Sequence, residues 1–193
     1  MAPRTNQLTR TREALLSAAR DLMSEGKEVT LAKVAERAKT SRATVYRYFS
    51  APSVLALEAT LDLEVTPTSE LLGGLDDVRS RVHVVARYYL DFSRIHEAHF
   101  RQFLAESLKA SLEDGTVIMR GARRVAAFSE AFAPVHPLME PKEIDDLAKR
   151  LSMTTGVEQL IILEDILRVD ETIGYRLQEG LVDALLDRYL PKF

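Results

Sequence analysis

The chain has 193 residues, a net charge of -3 at pH 7 and no cysteine. Without cysteine it builds no disulfide scaffold, thiolate metal site or thiol nucleophile, and it suits a reducing cytosol. The first ten residues are polar and the longest strongly apolar run, "LIIL" at 160–163, is far too short to cross a bilayer, so a soluble cytoplasmic protein without signal peptide or membrane partner is expected.

The net charge hides a division. Residues 1–50 hold ten Lys/Arg and five Asp/Glu, a net +5, whereas residues 51–193 carry a net -8. A basic head on an acidic body points to a head that meets a polyanion.

Helical periodicity runs through the chain and no stretch shows sustained strand-like alternation. Leu15, Ala18, Ala19 and Leu22 fall at i, i+3, i+4 and i+7 before Gly26, which predicts a first helix over 12–26. Thr30 caps a second, with Leu31, Val34, Ala35 and Ala38 at the same spacing. A tight turn at Lys39-Thr40 leads to Ser41 and a third, the outline of a helix-turn-helix. Further helices are expected at 53–64, 76–95 after Gly73-Gly74, about 100–112, 117–132 before Pro134, and two long ones at 141–168 and 170–190. The predicted fold is all-α with nine helices, divided into a helix-turn-helix domain at 1–52 and a ligand-binding and dimerisation domain at 53–193.

The third helix, "SRATVYRYF" at 41–49, carries unusual side chains for so short an element. Val45 and Phe49 are predicted to face the core. Ala43, Thr44, Arg47 and Tyr48 are predicted to share the exposed arc, flanked by Arg42 and Tyr46. Such a set suits a DNA major groove: Arg grips guanine O6/N7, Thr meets a thymine methyl or a phosphate, and tyrosine hydroxyls reach phosphates. Ser41 at the helix start leaves amide N–H groups and the positive dipole end for a phosphate. The candidate DNA contacts are Thr30, Lys39, Thr40, Ser41, Arg42, Thr44, Tyr46, Arg47 and Tyr48.

The stretch "TLAKVAERAKTSRATVYRYF" at 30–49 resembles the DNA-binding head of the tetracycline-repressor (TetR) family of bacterial transcription regulators. The matching residues are Thr30, Val34-Ala35, Ala38, Ser41, Thr44, Val45, Tyr46 and Tyr48-Phe49, and "REALLSAARDLMSEG" at 12–26 resembles the family's first helix. Two departures stand out. Where relatives commonly have glycine in the turn, this chain has Lys39; a non-glycine residue at positive φ carries a cost, so either the turn is remodelled or Lys39 contacts phosphate. Where relatives open the next helix with a lysine and an acidic residue, it has Pro52 and Ser53, which leaves the phosphate grip to Arg42, Tyr46, Tyr48 and the leading Arg4, Arg10 or Arg12.

One recognition helix reads few base pairs, so helix-turn-helix proteins usually act as dimers on paired half-sites. The last two helices have apolar stripes that suit a homodimer interface, and Gly156 and Ala184 are small enough for close approach. The resemblance implies a four-helix bundle from these helices, a palindromic operator in double-stranded DNA, and a small-molecule effector that releases it. Tyr88, Tyr89, Phe92, Phe103, Met119 and Arg123 in the middle helices are the candidate effector site, equally readable as plain core.

An enzyme is the chief rival reading, and it is not expected. There is no phosphate-binding loop or dinucleotide glycine fingerprint, and no Glu-x-x-His pair for a di-iron site. "HEAH" at 96–99 sets two histidines at i, i+3 but lacks the zinc-protease spacing, so neither metal nor cofactor is expected. A helical module that binds no DNA is the other rival, and it leaves the basic head unexplained.

Overall fold

A computed structural model describes residues 3–114 and 123–190, in which helices joined by short turns and loops make up the fold, with no strand among them. The helices are α1 (Pro3–Ser24), α2 (Leu31–Arg37), α3 (Arg42–Tyr48), α4 (Pro52–Glu64), α5 (Thr68–Leu71), α6 (Val78–Ile95), α7 (Glu97–Asp114), α8 (Arg123–Ala131), α9 (Pro141–Ser152), α10 (Val157–Ile161) and α11 (Glu171–Tyr189). A 3-10 turn at Ala133–Leu138 follows α8, and a π-helical turn at Ile162–Ile166 follows α10.

The chain folds as two compact units, Met1–Val65 with Ala98–Gly121, and Thr66–Glu97 with Ala122–Phe193. The division differs from the expected boundary after residue 52. Val54, Leu55 and Ala59 of α4 share one core with Leu15, Leu16 and Ala19 of α1 and with Val45 and Phe49, so α4 completes the head. A buried pair fixes the same contact: Arg12 Nε donates to Glu58 Oε1 at 2.8 Å and a second bond joins Nη2 to Oε2. The Arg12 guanidinium also lies 4.8 Å from the centre of the Phe49 ring. Arg12 is therefore a core residue and not part of an arm reaching for phosphate.

In the second unit Val82, Val85 and Tyr89 of α6 meet Phe128 of α8, Leu147 and Leu151 of α9, and Val182 and Leu186 of α11. Buried polar groups are tied down within this core. Gln178 Nε2 donates to the carbonyls of Ala86 and Thr154, both at 3.0 Å, and Thr155 Oγ1 donates to Ala86 at 2.7 Å.

The expected single helix over 141–168 is broken. Gly156 sits at φ +91, and a Cβ there would overlap the Arg124 side chain. That guanidinium donates to the Thr155 carbonyl and pairs with Glu158 at 3.1 Å, so it occupies the space where a continuous helix would run. The π turn is closed by Leu167 N donating to the Ile162 carbonyl at 2.9 Å, and Arg168 follows at φ 53. The helix expected from residue 12 begins at Pro3, and α5 and the 3-10 turn had no counterpart in the periodicity. Of the helix expected over 117–132, residues 117–122 lie outside the described residues.

Candidate nucleic-acid interface

The head builds its turn from local hydrogen bonds. At the end of α2, Lys39 N donates to the Glu36 carbonyl at 3.1 Å and Thr40 N to the Ala35 carbonyl at 2.9 Å. This is the two-bond Schellman ending, which needs a left-handed residue at its C′ position. Lys39 fills that position at φ 53. The turn is thus kept without glycine, and not remodelled.

Both helices of the motif are capped. Thr30 Oγ1 accepts from Lys33 N at 3.2 Å. Ser41 Oγ accepts from Thr44 N at 3.0 Å and lies 2.9 Å from Thr44 Oγ1. Each cap satisfies one of the free amides of a helix start, and the Ser41 contact turns the Thr44 oxygen back towards the cap.

On α3, Val45 and Phe49 are fully buried, as expected, while Ser41, Arg42, Ala43, Tyr46 and Arg47 are exposed and Thr44 is half-buried. Tyr48 requires a correction. It was expected on the exposed arc, but it is only 2% exposed and packs in the core of the head. At 100° per residue Tyr48 lies about 60° from Val45, the i, i+3 relation that puts two residues on one helix face. Arg47 rests its guanidinium 5.7 Å from the centre of the Tyr48 ring.

The basic charge of the head is unevenly committed. Arg37 forks onto Glu25 with bonds of 2.8 and 2.9 Å, Lys27 reaches the same carboxylate at 2.7 Å, and Lys33 pairs with Glu28 at 3.1 Å. The Arg37 fork, joined by Lys27, lowers the Glu25 carboxyl from 4.5 to about 2. By contrast Arg10, Lys39 and Arg42 are exposed and form no ion pair among the described residues, and Arg47 touches only the Tyr48 ring.

The candidate effector residues do not converge. Phe103 is buried in the core of the first unit, and Tyr89 in that of the second, where burial and then the neighbouring Tyr88 push its phenol up to about 12. Phe92 is buried, stacks on Tyr88 with ring centres 5.8 Å apart, and lies 4.5 Å from the His96 ring. Arg123 opens α8, and Met119 lies outside the described residues. What does open to solvent is a cleft of about 600 Å³ between α6 and α11, lined by His83, Arg87, Tyr88, Asp91, Gln178 and Glu179 among others. His83 Nε2 lies 2.9 Å from Asp183 and Arg87 pairs with Glu179 at 3.4 Å. Only Tyr88 of the expected set is there. The others come from helices some ninety residues apart in sequence, so no local motif marks them.

A capped two-helix turn with a short second helix, its outer face free and flanked by uncommitted cations, defines a helix-turn-helix DNA-binding protein. Residues 15–59 match the model for bacterial regulatory proteins of the tetR family, a span that runs from within α1 to within α4. The head of the chain is thus similar to the DNA-binding region of these regulators, which supports a DNA-binding transcriptional regulator. No curated protein matches the chain. Among the described residues no helix is long and apolar enough to cross a membrane.

Proposed function

We propose that the protein is a cytoplasmic homodimeric repressor that holds a palindromic operator through α3 and lets go when a small molecule binds its body. The observation that carries the reading is the outer face of α3. Thr44 and Arg47 read base edges, while Lys39, Thr40, Ser41, Arg42 and Tyr46 hold phosphates beside them, with Thr30 shaping the approach from α2. Arg10 adds a free cation from α1.

Two further features support the parts beyond DNA binding. Leu177 and Leu181 of α11 and Ile162 and Ile166 of the π turn are exposed apolar side chains on the last helices, the surface assigned to the homodimer. The cleft beside Tyr88 falls within the size range of small-molecule sites, and it is the place assigned to the effector.

Selection of bound fragments from the source genome tests the reading. An inverted repeat with half-sites about one helical turn apart, roughly 34–36 Å or a multiple, is expected. On the selected duplex Arg47→Ala should cost about 1–3 kcal/mol and relax preference at one or two positions. A uniform loss with base preference intact would refute the assignment of Arg47.

A further inference from the structure

We propose that the cleft between α6 and α11 takes an organic ammonium ion, a protonated amine carried on a flat apolar body. The inference rests on the assignment of that cleft to the effector and names the effector's chemical class.

Gln178 gives the first reason. It is 1% exposed, and its Nε2 donates to the carbonyls of Ala86 and Thr154, both at 3.0 Å. Two carbonyls accept there, so the orientation of the amide is fixed and Oε1 lies on its opposite edge. That oxygen receives no hydrogen bond among the described residues, and Gln178 lines the cleft. A buried amide oxygen is costly to leave without a donor, and the cleft is where a donor can enter.

Charge gives the second reason. The lining carries two carboxylates, Asp91 and Glu179, against one guanidinium, Arg87. Arg87 is already engaged: Nη1 reaches Glu179 at 3.4 Å, Nε lies 3.6 Å from Asp91, and the guanidinium lies 3.1 Å from the centre of the Tyr175 ring. His83 is turned onto Asp183 at 2.9 Å. Glu179 meets Arg87 through Oε1 and keeps Oε2 open among the described residues. An anion would meet an excess of negative charge with its cation committed elsewhere. An ammonium group instead brings N–H donors and a positive charge to a site of acceptors.

The rest of the wall suits what the amine is attached to. Val84, Ala86, Val182 and Tyr88 complete the lining, and Tyr88 is anchored by Thr66 N donating to its Oη at 2.6 Å. An aromatic wall attracts a cation and also packs against a flat ring. The volume of about 600 Å³ leaves room for a fused bicyclic amine.

The chain has no tryptophan, so indole fluorescence reports on an added indole alone. Tryptamine, the neutral tryptophol and the anion indole-3-acetate share one ring system and differ in their end group. Each would be titrated against the full-length protein by fluorescence anisotropy, with and without the selected duplex. Tryptamine is expected to bind on the order of tenfold tighter than either of the others, because charge-assisted hydrogen bonds are the stronger kind. The double variant Asp91→Asn with Glu179→Gln keeps both side-chain shapes; shown folded by circular dichroism, it is expected to bind tryptamine no better than tryptophol. Equal affinities, a preference for indole-3-acetate or no binding of any of the three overturns the proposal. A tryptamine preference that survives the double variant overturns it as well. Tryptamine bound as expected, but with the same affinity when duplex is present, upholds the amine site and removes its role in release. Equal binding of all three that duplex weakens alike removes the amine class and leaves the effector cleft standing.

Discussion

Replacing Lys39 with glycine should stabilise the head and weaken its hold on DNA at the same time. Lys39 occupies the left-handed C′ position of the Schellman turn at φ 53, where an L-residue other than glycine costs about 1–2 kcal/mol. Glycine removes that cost but gives the unfolded chain more freedom, an opposing effect of about 0.4–1 kcal/mol. The net expectation for Lys39→Gly is a gain of about 0.5–1 kcal/mol, read as a higher urea midpoint of the head at unchanged slope. The side chain is exposed and makes no hydrogen bond, ion pair or ring contact among the described residues, so its loss subtracts little from the native state. DNA binding should move the other way. One phosphate contact fewer makes the log–log dependence of affinity on salt shallower by about 0.9. Lys39→Asn separates the effects, since asparagine tolerates the left-handed region but carries no charge; it should lose the same salt slope with little change in stability. A lower urea midpoint for Lys39→Gly would refute the strain argument, and an unchanged salt slope in both variants would remove Lys39 from the phosphate contacts.

Other expectations follow from the same head. Arg12→Met leaves the Glu58 carboxylate buried without its main partner and should cost about 3–5 kcal/mol, whereas Arg12→Met with Glu58→Leu should be near neutral, both by urea unfolding. Ala51 stands at the N-cap of α4 and makes no side-chain capping bond; Ala51→Ser should add about 1 kcal/mol by the same measurement. Glu25 has its folded pKa lowered to about 2, so its contribution is present above about 4.5 and is lost as pH falls towards 2. The urea midpoint of the wild type should therefore drop more steeply over that window than that of Glu25→Gln; parallel curves would count against the pair. Thr44→Val keeps the methyl and loses the hydroxyl, and with the Thr44 oxygen turned to Ser41 it should keep its preference for a selected duplex better than Thr44→Ser, measured by fluorescence anisotropy.

Much of the head was legible because its signals are local. Thr30 and Ser41 as caps, the buried Val45 and Phe49 and the turn at Lys39-Thr40 are each decided by residues within four positions, and each is found as expected. Tyr48 shows where local reading fails: its hydroxyl suggests a phosphate contact, but the i, i+3 relation to Val45 decides its burial. Arg12 and Glu58 are 46 residues apart, and only the packing of α4 on α1 turns them from surface charges into a core pair. The second unit was harder for the same reason. The break at Gly156 depends on Arg124, which lies 31 residues before its bonding partner Thr155, and apolar periodicity runs across the break undisturbed. The α6–α11 cleft likewise has no signature until two distant helices are set side by side.

In the proposed reading, recognition and stability sit on different faces of α3. A seven-residue helix does not hold its shape in water unaided, so this one depends on what surrounds it: the Ser41 cap, the burial of Val45, Tyr48 and Phe49, and Arg12 lying over the Phe49 ring on its way to Glu58. None of those contacts uses Arg42, Ala43 or Tyr46, and Arg47 enters only by lying over the packed Tyr48 ring. The outer residues can therefore be exchanged for a different DNA sequence at little cost to the fold. Lys39 lies at the joint between the two requirements, because its backbone serves the turn and its side chain is free for the ligand. A glycine there would satisfy only the first.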